Sequence, residues 1–370
     1  MKLAIKEYWE NLKAEYEATY NSSIFSDYNV LMQYAERFGS YLRDLMQAHP
    51  SDVDVVYALA TVEQVLRHEE NSIHLLEDFL ESYSDELSDT DKARVYTNLA
   101  FYYNDERHIK EYDYLSVAIK LNSPYVESYR GLGLYHFSSY EDNGSIEALT
   151  KGLHAFEKGK SVSNDYEISF GYAVCLFELK EYEKAKTVFE QLLAKYPNRM
   201  RLLLCVAYCD VYLGNNKQAL DRLKQIKLGP DVAYYLSNDD IYDFEVFNAY
   251  YVLGEYELFL EECEKAEEDC DLSGDPFYFG LWTTNQHDRF YCEVDKQRTE
   301  LLECIKDVKA VEDFDSEEEK QSYIKSWEDD LEALSTVVHK IKNENYKPVV
   351  ALKLCPIYGC YLIDCLFHNF

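Results

Sequence analysis

Residues 166–230 carry one pattern twice at a fixed interval, and that interval limits the fold more than any other feature of the 370-residue chain. The first copy sets Tyr172, Ala173 and Leu176 on one helical stripe and breaks at Lys180-Glu181. It resumes with Ala185, Phe189 and Leu192 before Pro197 ends it. Small Ala173 and Ala185 let two antiparallel helices approach closely. The second copy stands 34 residues on (Ala173 to Ala207), with Val206-Ala207 in its first helix, Leu213-Gly214 at the close, and Ala219 and Leu223 in its second helix. A third copy has Phe247, Tyr250 and Leu253-Gly254, then Tyr256, Cys263 and Ala266. Upstream, Tyr96, Leu99, Ala100 and Tyr103 pair with Leu115 and Ala118. Tyr129, Leu132, Gly133 and Phe137 open another copy, whose turn is lengthened over 138–145 before Ala148. The weakest copy has Leu59-Ala60 with Leu76 and Phe79. First helices therefore begin near residues 53, 93, 126, 166, 200 and 240, and several turns carry insertions of about six residues.

Only 13 Gly and 7 Pro interrupt the chain, which predicts an all-α protein with short connections. The repeated unit resembles a tetratricopeptide repeat, whose period is about 34 residues. The resemblance covers roughly 53–268. It implies a right-handed α-α superhelix, a solenoid with helical caps at both ends, and a recognition role without a named ligand. Residues 1–50 are expected to form the N-terminal helical cap, with Tyr34, Phe38, Tyr41, Leu42 and Leu45 at helical spacing. Residues 51–270 are expected to form the array of about six helix pairs. Residues 271–370 are expected to hold an aromatic loop after the turn cluster Asp271–Pro276, helices near 288–309 and 318–343 joined by an acidic link at 312–319, and an apolar cap.

Charge narrows the function. With 37 basic and 69 acidic residues the net charge is −32, which opposes non-specific binding to nucleic acid or to an anionic membrane. The start has no apolar run of signal-peptide length, and the apolar stretch 348–370 is interrupted by Lys353, Pro356, Gly359 and Asp364, so it reads as a buried cap. Ten cysteines without a secretory start predict a reducing, cytoplasmic setting. Cys355, Cys360, Cys365 and His368 could offer metal ligands, but their spacing is wider than in zinc knuckles. They read as packing residues, with metal binding left open.

Nothing in the sequence predicts catalysis or a cofactor. Gly131-Leu132-Gly133 falls inside a helix and is no phosphate loop, and nucleophile-elbow and His-Glu-x-x-His motifs are absent. His68 and His74, flanking Glu69-Glu70, read as isolated surface groups.

What the resemblance implies instead is a partner-binding groove lined by first helices. In that register the strip collects Arg94, Phe101, Asn104, Arg130, Leu134, Phe137, Phe170, Val174 and Phe177. It continues with Arg201, Tyr208, Tyr212, Phe244, Asn248 and Tyr251. Aromatics with a few Arg and Asn have the composition of a binding surface. The alternative for each is packing against neighbouring repeats or the C-terminal segment. The expected partner is a protein or peptide, basic if the acidic surface steers it rather than merely solubilising the chain. Runs such as Glu261-Glu262, Glu267-Glu268-Asp269 and Glu317-Glu318-Glu319 read as solvated helix faces. Two sharper alternatives stand beside a scaffold or adaptor. One is an immunity or antitoxin protein neutralising a basic effector, and the other is an intracellular peptide-sensing regulator, which would need an effector surface in residues 1–50.

Overall fold

The computed structural model describes residues 1–104, 109–228, 241–266, 274–311, 314 and 316–365. His368, the run Glu267-Glu268-Asp269, the start of the turn cluster at Asp271 and Glu312 in the acidic link lie outside the described residues. Seventeen α-helices and no strand occur among the described residues. None of these helices is long and apolar enough to cross a membrane. The chain forms two compact units, Met1–Lys184 together with the chain from Cys355, and Ala185–Leu354.

The first unit contains α1 (Lys2–Tyr20), α2 (Tyr28–Ala48), α3 (Val53–Val65), α4 (Glu69–Tyr83), α5 (Asp89–Tyr102), α6 (Ile109–Lys120), α7 (Val126–Asn143), α8 (Ile146–Val162), α9 (Tyr166–Glu178) and the start of α10 (Tyr182–Lys195). Their starts are set locally. The side chains of Asp27, Asp52, Ser88, Ser145 and Asp165 each accept a backbone N–H of the first turn they precede. α1 and α2 pack through Trp9, Tyr34 and Phe38, and the Tyr34 hydroxyl donates to the Trp9 carbonyl at 3.2 Å. Phe156 of α8 is fully buried where Gly133 of α7 and Gly171 of α9 leave room. A Cβ on either glycine would sit 2.6 Å from its ring. The lengthened turn expected at 138–145 is not a loop. α7 continues to Asn143 and stops at Gly144, which takes a left-handed φ of 69°, and Ser145 immediately caps α8. The inserted residues extend a helix because nothing before Gly144 breaks the pattern.

The second unit holds the rest of α10, then α11 (Met200–Tyr212), α12 (Asn216–Leu223), α13 (Asp243–Leu253), α14 (Tyr256–Ala266), α15 (Asp275–Thr283), α16 (His287–Ala310) and α17 (Glu317–Glu344). Residues 345–354 follow without helix. The aromatic run 277–282, expected in a loop, is α15. Pro276 sits in its first turn, where a missing N–H costs nothing, and Phe277, Tyr278, Phe279 and Leu281 bury against the unit.

One turn closes most of the helix pairs. The first or second residue after the first helix adopts a left-handed φ, and the next N–H reaches back five residues. Arg67, Lys180, Gly214, Gly254 and Asn285 have φ between 60° and 82°. The following N–H groups of His68, Glu181, Asn215, Glu255 and Gln286 donate to the carbonyls of Glu63, Leu176, Asp210, Tyr250 and Leu281 at 2.8–2.9 Å. Asn285 thus marks α15–α16 as a further pair of the same construction, beyond the point where the side-chain register fades. A lysine at this position carries a strain that glycine does not. Exposed Lys180→Gly is expected to stabilise the fold by about 0.5–1 kcal/mol, and Gly214→Ala to destabilise it by about 1 kcal/mol. Urea unfolding midpoints followed by circular dichroism check both signs.

Candidate polypeptide-binding site

In the first unit, helices α5 and α7 present a row of side chains to residues 355–365, which form neither helix nor strand. A helix satisfies its own backbone, so an extended segment laid against it must find hydrogen-bond partners among side chains. Asn98 supplies two of them. Its Nδ2 donates to the Ile363 carbonyl at 3.2 Å, and its Oδ1 accepts the Ile363 N–H at 2.8 Å. Arg130 donates to the Cys360 carbonyl and pairs with Glu167. Arg94, one turn before Asn98, lies 4.0 Å over the Tyr57 ring and bridges Asp54 at 2.8 Å and Asp364 at 2.5 Å. Lys2 Nζ reaches the other oxygen of Asp364 at 2.5 Å.

Side chains of the segment are received as specifically. Tyr361 is buried edge-on to Phe101, with ring centroids 5.1 Å apart, and its hydroxyl donates to Glu111 at 2.8 Å. Its ring lies over Gly131, where a Cβ would stand 2.8 Å away. Tyr358 and Cys355 both donate to Glu141. Burial, then the charge and hydrogen bond of Glu111, push the Tyr361 phenol well above its ordinary value, so it stays a donor. Burial raises the Asp54 carboxyl, but the hydrogen bond and charge of Arg94 outweigh this and hold it below its ordinary value.

The second unit holds residues 345–354 in a related way. The Tyr251 hydroxyl donates to the Pro348 carbonyl at 2.8 Å. The Tyr212 hydroxyl accepts the Leu352 N–H at 2.9 Å and lies 3.4 Å from the Leu352 carbonyl. The Lys347 ammonium stands over the rings of Tyr251 and Tyr256 at 5.1 and 5.4 Å.

The residues anticipated for a groove do not all lie on one surface. Arg94, Phe101 and Arg130 in the first unit, and Tyr212 and Tyr251 in the second, touch the C-terminal segment. Asn104 lines a cleft beside it. Phe137, Phe170 and Phe177 are buried against Tyr140, Tyr166 and Tyr182 of their own or neighbouring helices. Arg201 pairs with Glu245, Tyr208 donates to the Glu245 carbonyl at 2.7 Å, and Asn248 is half-buried. Phe244 is exposed and stacks on Tyr242. Asn98, Glu111 and Glu141 were not anticipated. Asn98 had a signal, since it follows Arg94 by one helical turn on the same face.

The cleft has a volume of about 650 Å³. Its walls include Asn104, Glu111, Tyr135, Asp142, Asn143 and Tyr358, and no basic side chain lines it among the described residues. No group of three or more His, Cys, Asp or Glu side chains among the described residues could hold a metal ion. The described cysteines are free thiols.

Antiparallel helix pairs closed by one recurrent turn, with first helices turned toward an extended segment, define an α-helical repeat protein. Residues 167–199, spanning α9 and α10, match the family model of the tetratricopeptide repeat, so this helix pair is one such repeat. Among solved structures it is similar to YrrB, a TPR protein with an unusual peptide-binding site, at 15% identity over 60% of this chain and 97% of that one, with a TM-score of 0.42. It is similar to a tetratricopeptide repeat protein from Parabacteroides merdae ATCC 43184, at 13% identity over 72% and 95% of the two chains, with a TM-score of 0.41. Similarity to yeast Tom70 is 14% over 85% of this chain and 63% of that one, with a TM-score of 0.37. No curated protein matches the chain.

Two outcomes follow from this geometry. Asn98→Ala removes both partners of Ile363 and is expected to cost about 2 kcal/mol, read as faster amide exchange at Ile363 with α5 protection retained. His136, next to cleft residue Tyr135, is pulled from 6.5 to about 4 by burial, then by the charge of Lys151. A base depressed in the folded state takes its proton first when unfolded, so its effect on stability is absent above pH 6.5 and grows unfavourable as pH falls toward 4. The thermal midpoint is expected to drop across that window, and less so in His136→Gln.

Proposed function

We propose that this protein is a non-catalytic scaffold that binds extended segments of protein or peptide along the inner faces of its first helices. The observation that carries this reading is the two-way hydrogen bond between the Asn98 side chain and the Ile363 main chain. Such a pair grips backbone without regard to sequence, while neighbouring positions select side chains. Phe101 and Arg130 act with Asn98 in the first unit, and Tyr212 and Tyr251 do the same work in the second.

The open cleft supplies the second element. Glu111 and Asp142 give it negative potential, matching the net charge of −32. A protruding Lys or Arg of a partner suits it best, and long-range attraction would speed its arrival. A photo-crosslinking residue placed at Asn104 tests the reading in native lysate at low and high salt, with the same residue at exposed Lys158 as control. The expected result is a discrete partner captured from Asn104, weakened by salt and by Glu111→Gln with Asp142→Asn. Equal capture from Lys158, or indifference to both carboxylates, would sink it.

A further inference from the structure

The groove of the first unit is already occupied by a segment of the same chain, and the contacts divide by what they read. Asn98 on Ile363 and Arg130 on the Cys360 carbonyl hold main chain, which any extended peptide offers. Tyr361 and Asp364 are held by their side chains. The Tyr361 ring requires the space above Gly131, the edge of Phe101 and the carboxylate of Glu111. The Asp364 carboxylate requires Arg94 and Lys2. Asp364 also takes a φ of 56°, a left-handed conformation that Asp and Asn tolerate better than most residues.

Resting on the reading that this face binds polypeptide, we propose that residues 355–365 are a displaceable cis ligand that keeps the groove closed. The partner that opens it is an extended segment with an aromatic hydroxyl followed three positions later by a carboxylate, the spacing of Tyr361 and Asp364. The segment has no helix or strand of its own, and the main-chain groups of Cys360 and Ile363 bond to groove side chains, so an incoming peptide of this pattern re-forms those bonds. Tethering gives the cis segment an effective concentration on the order of millimolar, so a free peptide competes poorly until the cis hold is weakened.

The probe is a fluorescent peptide of residues 355–365 with serine at its three cysteine positions, titrated against the full-length chain by anisotropy. Full-length Tyr361→Ala/Asp364→Ala is expected to bind it about tenfold or more tighter than the parent. Adding Asn98→Ala to that variant is expected to remove the gain. Equal affinity in parent and variant would overturn the inference while leaving the binding reading intact, since the groove would then be open in both. A variant that keeps the parent's circular dichroism and binds nothing would also overturn it, by making the segment a fixed part of the unit. Where the variant does not fold, hydrogen exchange on the parent decides. Saturating peptide is expected to release protection across 355–365 while α5 and α7 keep theirs, and unchanged protection would reject displacement. Concentration-dependent dimerisation of the parent that the peptide cannot compete away would reject it too, by assigning the groove to a second copy.

Discussion

A helix uses its backbone N–H and C=O groups internally, so a wall of helices has no main-chain partners to offer an extended segment. Whatever lies along such a wall must be satisfied by side chains, and this requirement explains the polar residues on otherwise apolar inner stripes. Asn98, Arg94 and Arg130 are buried on faces where an aliphatic residue would pack helix on helix more simply. Each has a job that an aliphatic residue cannot do. Asn98 completes the backbone of Ile363, Arg130 that of Cys360, and Arg94 holds two carboxylates with its guanidinium over a tyrosine ring. Removing one member leaves a buried group unsatisfied, which costs more than the hydrogen bond itself contributes.

Part of the excess of 35 Tyr over 18 Phe has a related use in packing. A buried tyrosine packs like phenylalanine and carries a donor at its far end. Tyr34 donates to Trp9, Tyr57 to Asp91, Tyr129 to Ser123, Tyr208 to Glu245 and Tyr251 to Pro348, in every case to a backbone carbonyl. The ring fills the interface and the hydroxyl fixes its direction. Where a ring must come closer than a side chain allows, the neighbour is glycine, as at Gly131 under Tyr361 and at Gly133 and Gly171 beside Phe156.

The helix pairs were legible because each has a period. Stripes such as Tyr172, Ala173 and Leu176 with Ala185, Phe189 and Leu192 announce two helices and their close approach. Gly214 and Gly254 announce their turns, but Lys180 and Asn285 adopt the same conformation without glycine, so the α15–α16 pair lost its marker. Gly144 was read as part of a loop because glycine and serine there suit a turn, and no local signal says that α7 runs on to meet it. The groove residues were legible only in part. Arg94, Phe101 and Arg130 follow from register, whereas the path of the C-terminal segment has no period and closes contacts 140 residues apart at Tyr212 and 265 apart at Asn98.

Electrostatics completes the argument about what can enter. Several of the basic residues are engaged in internal pairs, Arg94 with Asp54 and Asp364, Arg130 with Glu167, Arg201 with Glu245, and both Lys186 and Arg222 with fully buried Asp210. Their charge is therefore cancelled at short range, and the field outside is set by the excess of 69 acidic over 37 basic residues. A carboxylate-bearing peptide approaching from solution is repelled by that field even though Arg94 waits to receive it. The tethered Asp364 has no approach to make, so the cis segment holds an advantage beyond its concentration. On the proposed reading, basic residues outside the aromatic and acidic positions would help a partner overcome both, and the cleft walled by Glu111 and Asp142 lies beside the segment. Attraction at the cleft and complementarity at Arg94 are then two contributions to one affinity, and a peptide that offers only the second binds, but more slowly and more weakly than one that offers both.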